Sequence, residues 1–222
     1  MLNVGKHNNV AFSATKNEKG TLVINAKVVE EDVDFNLDEV TTETESEASQ
    51  NFLVFPLQLK GYVDGQLVDE RPVKNIVEDI KNLRTMLTYI LSQYTTTDNI
   101  EWDLYKGSDI TTENQKDALA TTEGLKVVYD NLVDQFVAQM KDFADDSKLF
   151  RIILVRSSKK SHYPKLRDKY LNSAPFMESM DIPEAQSKLA FSKSEIERGM
   201  NDGTPVESDV TKKEESLADS GL

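Results

Sequence analysis

The chain has 222 residues, a formal net charge of −13 from 39 Asp and Glu against 26 Lys and Arg, and 38% hydrophobic residues. It contains no cysteine, which excludes disulfides, thiol catalysis and cysteine-based metal sites. An acidic surface repels nucleic acid and anionic membranes on average, so a polyanion partner must meet a local basic patch. The opening residues, Met1 to Asn9, lack the apolar run of a signal peptide. No window approaches the roughly 18 apolar residues that a membrane span requires. A cytoplasmic location is expected, in the host cell if the protein is viral, with no membrane contact.

Two short strand patterns lie between Phe12 and Val29, flanking a turn at Asn17-Glu18-Lys19-Gly20. Leu22, Ile24, Ala26 and Val28 alternate with Val23, Asn25 and Lys27, the period of a half-buried strand. From Glu30 to Gln50 nine acids occur with no Lys or Arg, and Thr41 to Gln50 reads as a solvated loop. A third strand follows over Phe52 to Lys60, with Pro56 marking an edge or a bulge because it cannot donate to a ladder. Tyr62 to Val68 reads as a small hairpin around Asp64-Gly65.

Pro72 opens a helix, and Val73, Ile76, Val77, Ile80, Leu83, Leu87, Ile90, Leu91 and Tyr94 recur at helical steps to about Tyr94. A polar stretch with Trp102 and Tyr105 leads to a second helix from Thr121 or Thr122 to about Asp145. Its apolar stripe comprises Leu125, Val128, Tyr129, Leu132, Val133, Phe136, Met140 and Phe143. Leu149 to Arg156 is a strand rich in β-branched residues. Ser187 to Phe191 reads as a last short strand, and Ser192 to Arg198 as a short helix closed by Gly199. Residues 201–222 hold six carboxylates against Lys212 and Lys213 and read as a disordered acidic tail.

The order of strand, strand, strand, helix, helix, strand predicts an α+β fold. Its expected form is an OB-like antiparallel β-barrel with a two-helix insertion over about 72–145 between strands three and four. Residues 1–200 would form this single domain, with the acidic loop over about 30–50, followed by the tail.

The strongest positive concentration runs from Lys148 to Tyr170. It contains Lys148, Arg151, Arg156, Lys159, Lys160, Lys165, Arg167 and Lys169 against Asp168, with His162, Tyr163 and Tyr170 interleaved. Single-stranded nucleic acid is held by this pairing of cations for phosphates with aromatic faces for bases, each stacked base contributing roughly 1–3 kcal/mol. The bland alternative is a solvated basic loop that pairs with the acidic segments of the same chain. Residues five apart on a straight strand point to opposite faces, so Arg151 and Arg156 cannot line one groove. Arg151 is then an edge residue, and Arg156 with Lys159 and Lys160 forms the coherent cluster. Tyr62, Trp102 and Tyr105 are candidate stacking residues, and for Trp102 a role as a core plug is favoured. No phosphate-binding, dinucleotide, zinc-protease or nucleophile-elbow motif occurs, and His7 and His162 lie far apart. A non-catalytic protein is therefore expected, with no cofactor and no metal.

Leu149-Phe150-Arg151-Ile152-Ile153-Leu154-Val155-Arg156-Ser157-Ser158-Lys159-Lys160-Ser161-His162-Tyr163, with Pro175 to Met180 and Ser187-Lys188-Leu189, resembles bacteriophage-type single-stranded DNA-binding proteins. Val10 to Ala14, Gly20 to Ile24 and the acidic tail agree with that plan, and the resemblance covers about half of the chain. It implies an OB-fold, sequence-independent binding of single-stranded DNA and a role in phage DNA replication or recombination. Replication or recombination proteins, and further copies of the chain, are the partners it implies. Arg156, Lys159, Lys160 and Tyr163 are the residues it places on the binding side. The chain departs from the plan at its end, Ala218 to Leu222, which has no aromatic residue and few acids, and in its long helical pair. The rival reading is a phage structural or assembly protein that uses the helical pair as its contact surface. A third reading is a carboxylate-metal enzyme.

Overall fold

A computed structural model of the chain describes residues 4–29, 50–63, 66–68, 70–143, 148–156, 164–166, 175–199 and 201. The acidic loop at 30–49 and the tail at 202–222 lie outside the described residues. Among the described residues the fold is α+β, with a six-stranded antiparallel sheet and four α-helices. The strands are β1 (Gly5–Lys16), β2 (Leu22–Val28), β3 (Gln50–Phe55), β4 (Gly61–Val63), β5 (Gln66–Val68), β6 (Phe150–Arg156), β7 (Pro164–Leu166) and β8 (Met177–Ser179). The helices are α1 (Val73–Leu91), α2 (Gln115–Ala118), α3 (Thr122–Asp142) and α4 (Lys193–Glu197). The main sheet runs β3-β2-β1-β6-β7, with β8 also on β6, while β4 and β5 form a separate hairpin.

The β1–β2 turn forms where the sequence places it. The Asn17 side-chain oxygen accepts the Lys19 and Thr21 N–H groups at 3.0 and 2.9 Å, and Gly20 takes a φ of 75°. Such a left-handed position favours glycine because a Cβ is strained there. β1 then serves two neighbours. Val10 to Lys16 pair with β2, whereas Gly5 to His7 and Val10 pair with β6, with a register shift between His7 and Val10. Asn9 sits in that irregularity with φ 53°. An extra residue of this kind bends a strand and increases its twist.

The helices cover one face of the sheet. Phe12, Phe150, Tyr94 and Phe143 form a chain of ring contacts with centroid separations of 5.9, 5.0 and 5.2 Å. Leu22, Ile24 and Ala26 are fully buried on the same side, as the period-two pattern predicts. The Thr121 side chain caps α3 by accepting the Gly124 N–H at 3.1 Å. A Cβ on Gly124 would lie 2.0 Å from the Ala118 carbonyl oxygen, so only glycine allows α3 to begin this close to α2. Tyr129 of α3 donates its hydroxyl hydrogen to the Phe55 carbonyl and accepts the Leu22 N–H at 3.2 Å. These two residues are partners in the β2–β3 register, so one phenol joins the helix to the end of that ladder. Tyr129→Phe leaves both backbone groups unmet in a buried site. A loss of about 1–3 kcal/mol in urea unfolding is expected.

Three expectations change. The sheet is open among the described residues, not a closed barrel: β3 pairs only with β2, and no ladder joins it to β7 or β8. β7 and β8 are three-residue strands that divide one edge of β6 between them, which leaves too little length to reach across to β3. Ser187 to Phe191 is not a strand, and β7 and β8 take that role instead. α1 ends at Leu91 and α3 at Asp142, three residues short of the periodic pattern in each case. α4 stands where the sequence places a short helix. A reciprocal Ser192–Glu195 capping box opens it, and Gly199 follows it with φ 63°.

Candidate nucleic-acid interface

Charge is distributed unevenly between the layers. The strands carry Lys6, Lys16, Lys27, Arg151, Arg156 and Lys165 against one acid, Glu178. From Asp98 to Asp142, the region that holds α2 and α3, ten acids accompany four lysines. Two of these cations are met by acids: Lys16 pairs with Asp134 of α3 at 2.7 Å and Arg151 with Glu178 at 2.7 Å.

Register assigns these cations to faces, because residues directly opposite each other on paired strands share a face. Phe150 touches Phe12 and Tyr94, so the parity of Phe150, Ile152, Leu154 and Arg156 faces the helices. Lys6 lies opposite Ile153, Lys165 opposite Val155 and Lys27 opposite Ala11, all on the face turned away from the helices. Lys6 is exposed, and Lys27 and Lys165 are half-buried.

Part of this outer face is already covered. Arg151 is buried there and donates to the Glu178 carboxylate at 2.7 Å, the Asn8 side-chain oxygen at 3.1 Å and the Ile182 carbonyl at 3.5 Å. The second Glu178 oxygen accepts the Lys188 N–H at 3.1 Å. Burial alone would raise the Glu178 pKa, but hydrogen bonds from Ser187, Arg151 and the Lys188 backbone hold it below its ordinary value. The pair thus fastens the stretch from Ile182 to Leu189 across β6 and β8. Behind it, on the helical side, the Tyr89 hydroxyl donates to the Met177 carbonyl at 2.7 Å. Burial, with the Glu178 charge, pushes that phenol up to about 12.

The sequence-derived site residues separate accordingly. Arg151 is not an edge residue: β6 is paired on both sides, and the Arg151 charge is met by Glu178. Arg156 is buried with helix-side parity, opposite Pro164, so Arg151 and Arg156 do fall on opposite faces. Lys165 is on the outer face. Lys159, Lys160, His162, Tyr163, Arg167, Lys169 and Tyr170 lie outside the described residues; the first four fall in the segment connecting Arg156 to its partner Pro164. Tyr62 is on β4 opposite Leu67, in the separate β4–β5 hairpin and not in the main sheet. Trp102 is half-buried against the core and donates its ring N–H to the Thr88 hydroxyl at 3.0 Å, consistent with a packing role. Tyr105 is likewise half-buried, hydrogen-bonded to Gln115.

Sequence reasoning did not single out Lys6, Lys27, Asn25 or Ser13. Asn25 and Ser13 are cross-strand partners on the outer face of β2 and β1. The Asn25 amide oxygen and nitrogen and the Ser13 hydroxyl are buried with no hydrogen-bond partner. Polar residues at outward positions of an alternating strand were the available signal. Among the described residues, no group of three or more His, Asp or Glu side chains is placed to hold a metal ion. No helix of the described residues is long and apolar enough to cross a membrane. The chain matches no protein-family model, no curated protein and no solved structure.

Proposed function

We propose that the chain is a sequence-independent single-stranded DNA-binding protein built on an OB-like sheet and acting without catalysis in phage DNA replication or recombination. The observation that carries the reading is the outer sheet face, where Lys6, Lys27 and Lys165 stand on three different strands of a protein whose helical region is strongly acidic. Cations that track the phosphates along a sheet face are one half of what unpaired strands of nucleic acid require. In sequence, the basic stretch from Ser157 to Tyr163, with Lys159 and Lys160, lies between Arg156 of β6 and Pro164 of β7.

The strand order supports the OB-like part. An OB-fold is a five-stranded, partly open Greek-key barrel that binds ligands on its second and third strands and in two loops. Taking β6 as the fourth strand and β7 with β8 as the fifth, the order 3-2-1-4-5 is that of such a barrel opened between its third and fifth strands. β1 bends at Asn9 to serve both halves, as a strand does when it passes from one sheet to another through a bulge.

Titration of a labelled oligothymidylate at two salt concentrations tests the reading. Binding should be tight at low salt and should weaken as salt rises, by about 0.7 in log–log slope per phosphate neutralised. Absence of binding at low salt, also after removal of residues 202–222, rejects it in favour of a protein-contact role.

A further inference from the structure

We propose that the outer edge of β3 is a dimer contact, at which two copies of the chain pair their β3 strands antiparallel about a twofold axis. This contact does not depend on the nucleic-acid reading. The direction of the backbone groups comes first. The Asn17 N–H donates to the Thr21 carbonyl at 3.0 Å, and the β1–β2 ladder continues from that pair. Hydrogen-bonded pairs in an antiparallel ladder recur at every second residue, so Val23, Asn25 and Lys27 turn their backbone groups to β1. Leu22, Ile24 and Ala26 turn theirs to β3, opposite Phe55, Leu53 and Asn51. The Tyr129 hydroxyl agrees with this, because it meets both the Leu22 N–H and the Phe55 carbonyl. On β3 the backbone groups of Phe52 and Val54 therefore point away from β2. Among the described residues no strand stands on that side, and Val54 is 54% exposed.

The two edges of the sheet are unlike. Proteins blunt open edges with short strands, proline or charge. β7 and β8 have three residues each; β7 begins with Pro164 and carries Lys165, and β8 carries Glu178. β3 has six residues, Gln50 to Phe55, with no proline and no charge. Pro56 follows directly and ends it. An edge with none of these devices is a template for another strand.

Charge selects a second copy as the occupant. Each copy carries a net charge of −13, so two copies repel, and they meet at least cost where the contact itself adds no charge. β3 is such a segment, and a second copy brings an identical strand. Pairing centred on Leu53 sets Phe52 of each copy against Val54 of the other and forms about four backbone hydrogen bonds. Pairing of β3 with the β7 edge would be head-to-tail and would leave a further edge open in every copy. The twofold pair closes, and it joins the two sheets into one.

Analytical ultracentrifugation of the full chain tests the contact. A mass of twice 25.0 kDa is expected at concentrations on the order of 100 μM. Dimerisation should strengthen as salt rises, because screening relieves the repulsion between two anionic copies. Val54→Lys places a charge on the edge and should raise the dimer dissociation constant by about tenfold or more. Val54→Pro removes the outward N–H without taking a donor from the β2 ladder, a position at which an edge strand tolerates proline, and should likewise give a folded monomer. Circular dichroism checks both variants, and Val54→Lys carries the test if Val54→Pro does not fold. Ile196→Lys, at the exposed hydrophobic residue of α4, should leave the dimer unchanged. A monomer at both low and high salt, larger assemblies that do not close, a dimer that survives Val54→Lys, or a dimer that salt dissociates would each overturn the proposal.

Discussion

Glu178→Ala lowers the unfolding free energy by about 3–5 kcal/mol, among the largest effects expected for a single substitution in this chain. The reason is asymmetry. Arg151 and Glu178 are almost fully buried at 4% and 6% side-chain exposure, and their attraction offsets the cost of removing both charges from water. Deleting the acid leaves the guanidinium buried with only the Asn8 and Ile182 oxygens as acceptors. It also releases the Lys188 N–H and detaches the stretch from Ile182 to Leu189 from the sheet. Arg151→Met alone is similarly harmful because it strands the carboxylate. The double variant Arg151→Met, Glu178→Leu should recover much of the loss, since a packed apolar pair needs no compensation. Urea unfolding of the three variants checks this, and equal losses in the single and double variants would contradict it.

The same pair sets the acid limb of stability. The Glu178 pKa is lowered in the folded state, so the contribution is present above the ordinary carboxylate value, 4.5, and is lost as pH falls below it. Glu178→Gln should flatten that limb.

The second large effect concerns binding. Replacing Lys6, Lys27 and Lys165 together by Glu should weaken single-stranded DNA binding by on the order of a hundredfold or more at moderate salt. The log–log salt slope should fall by about 2. These three lysines stand on three different strands and share the outer face, so one polyanion can meet them in turn. The control is the equivalent change on the helical layer, Lys106, Lys116 and Lys141 to Glu, which alters net charge equally. Under the account it changes affinity only through the general field, by a much smaller factor. Equal losses in the two triple variants would mean that net charge, not this face, governs binding.

Legibility in the sequence followed the range of the interactions. The β1–β2 hairpin and the two long helices were readable because alternation, periodicity, Asn17-Gly20 and Pro72 are local signals. β7 and β8 were not readable. Each has three residues and no apolar period of its own, and each exists as a strand because β6 offers an edge. Leu189 was read as part of a strand; it is instead a buried plug beside the backbone that Glu178 holds.

The candidate site shows the same limit. Parity separated Arg151 from Arg156, which the structure reproduces, but the partner that occupies Arg151 lies 27 residues away in sequence. The outward position of Asn25 could be counted from the alternation with Ile24 and Ala26. Its burial is a property of the assembled fold, so composition gave no sign of it. A run of cations is conspicuous in sequence, whereas lysines on three separated strands become a group only when the sheet assembles.

Amide chemical-shift mapping of the full chain with a saturating oligothymidylate at low salt tests the central claim most directly. The account predicts the largest shifts along β1, β2 and β7, at Lys6, Lys27 and Lys165, with α1 and α3 nearly unmoved. Shifts confined to those helices, or none at all, would contradict it.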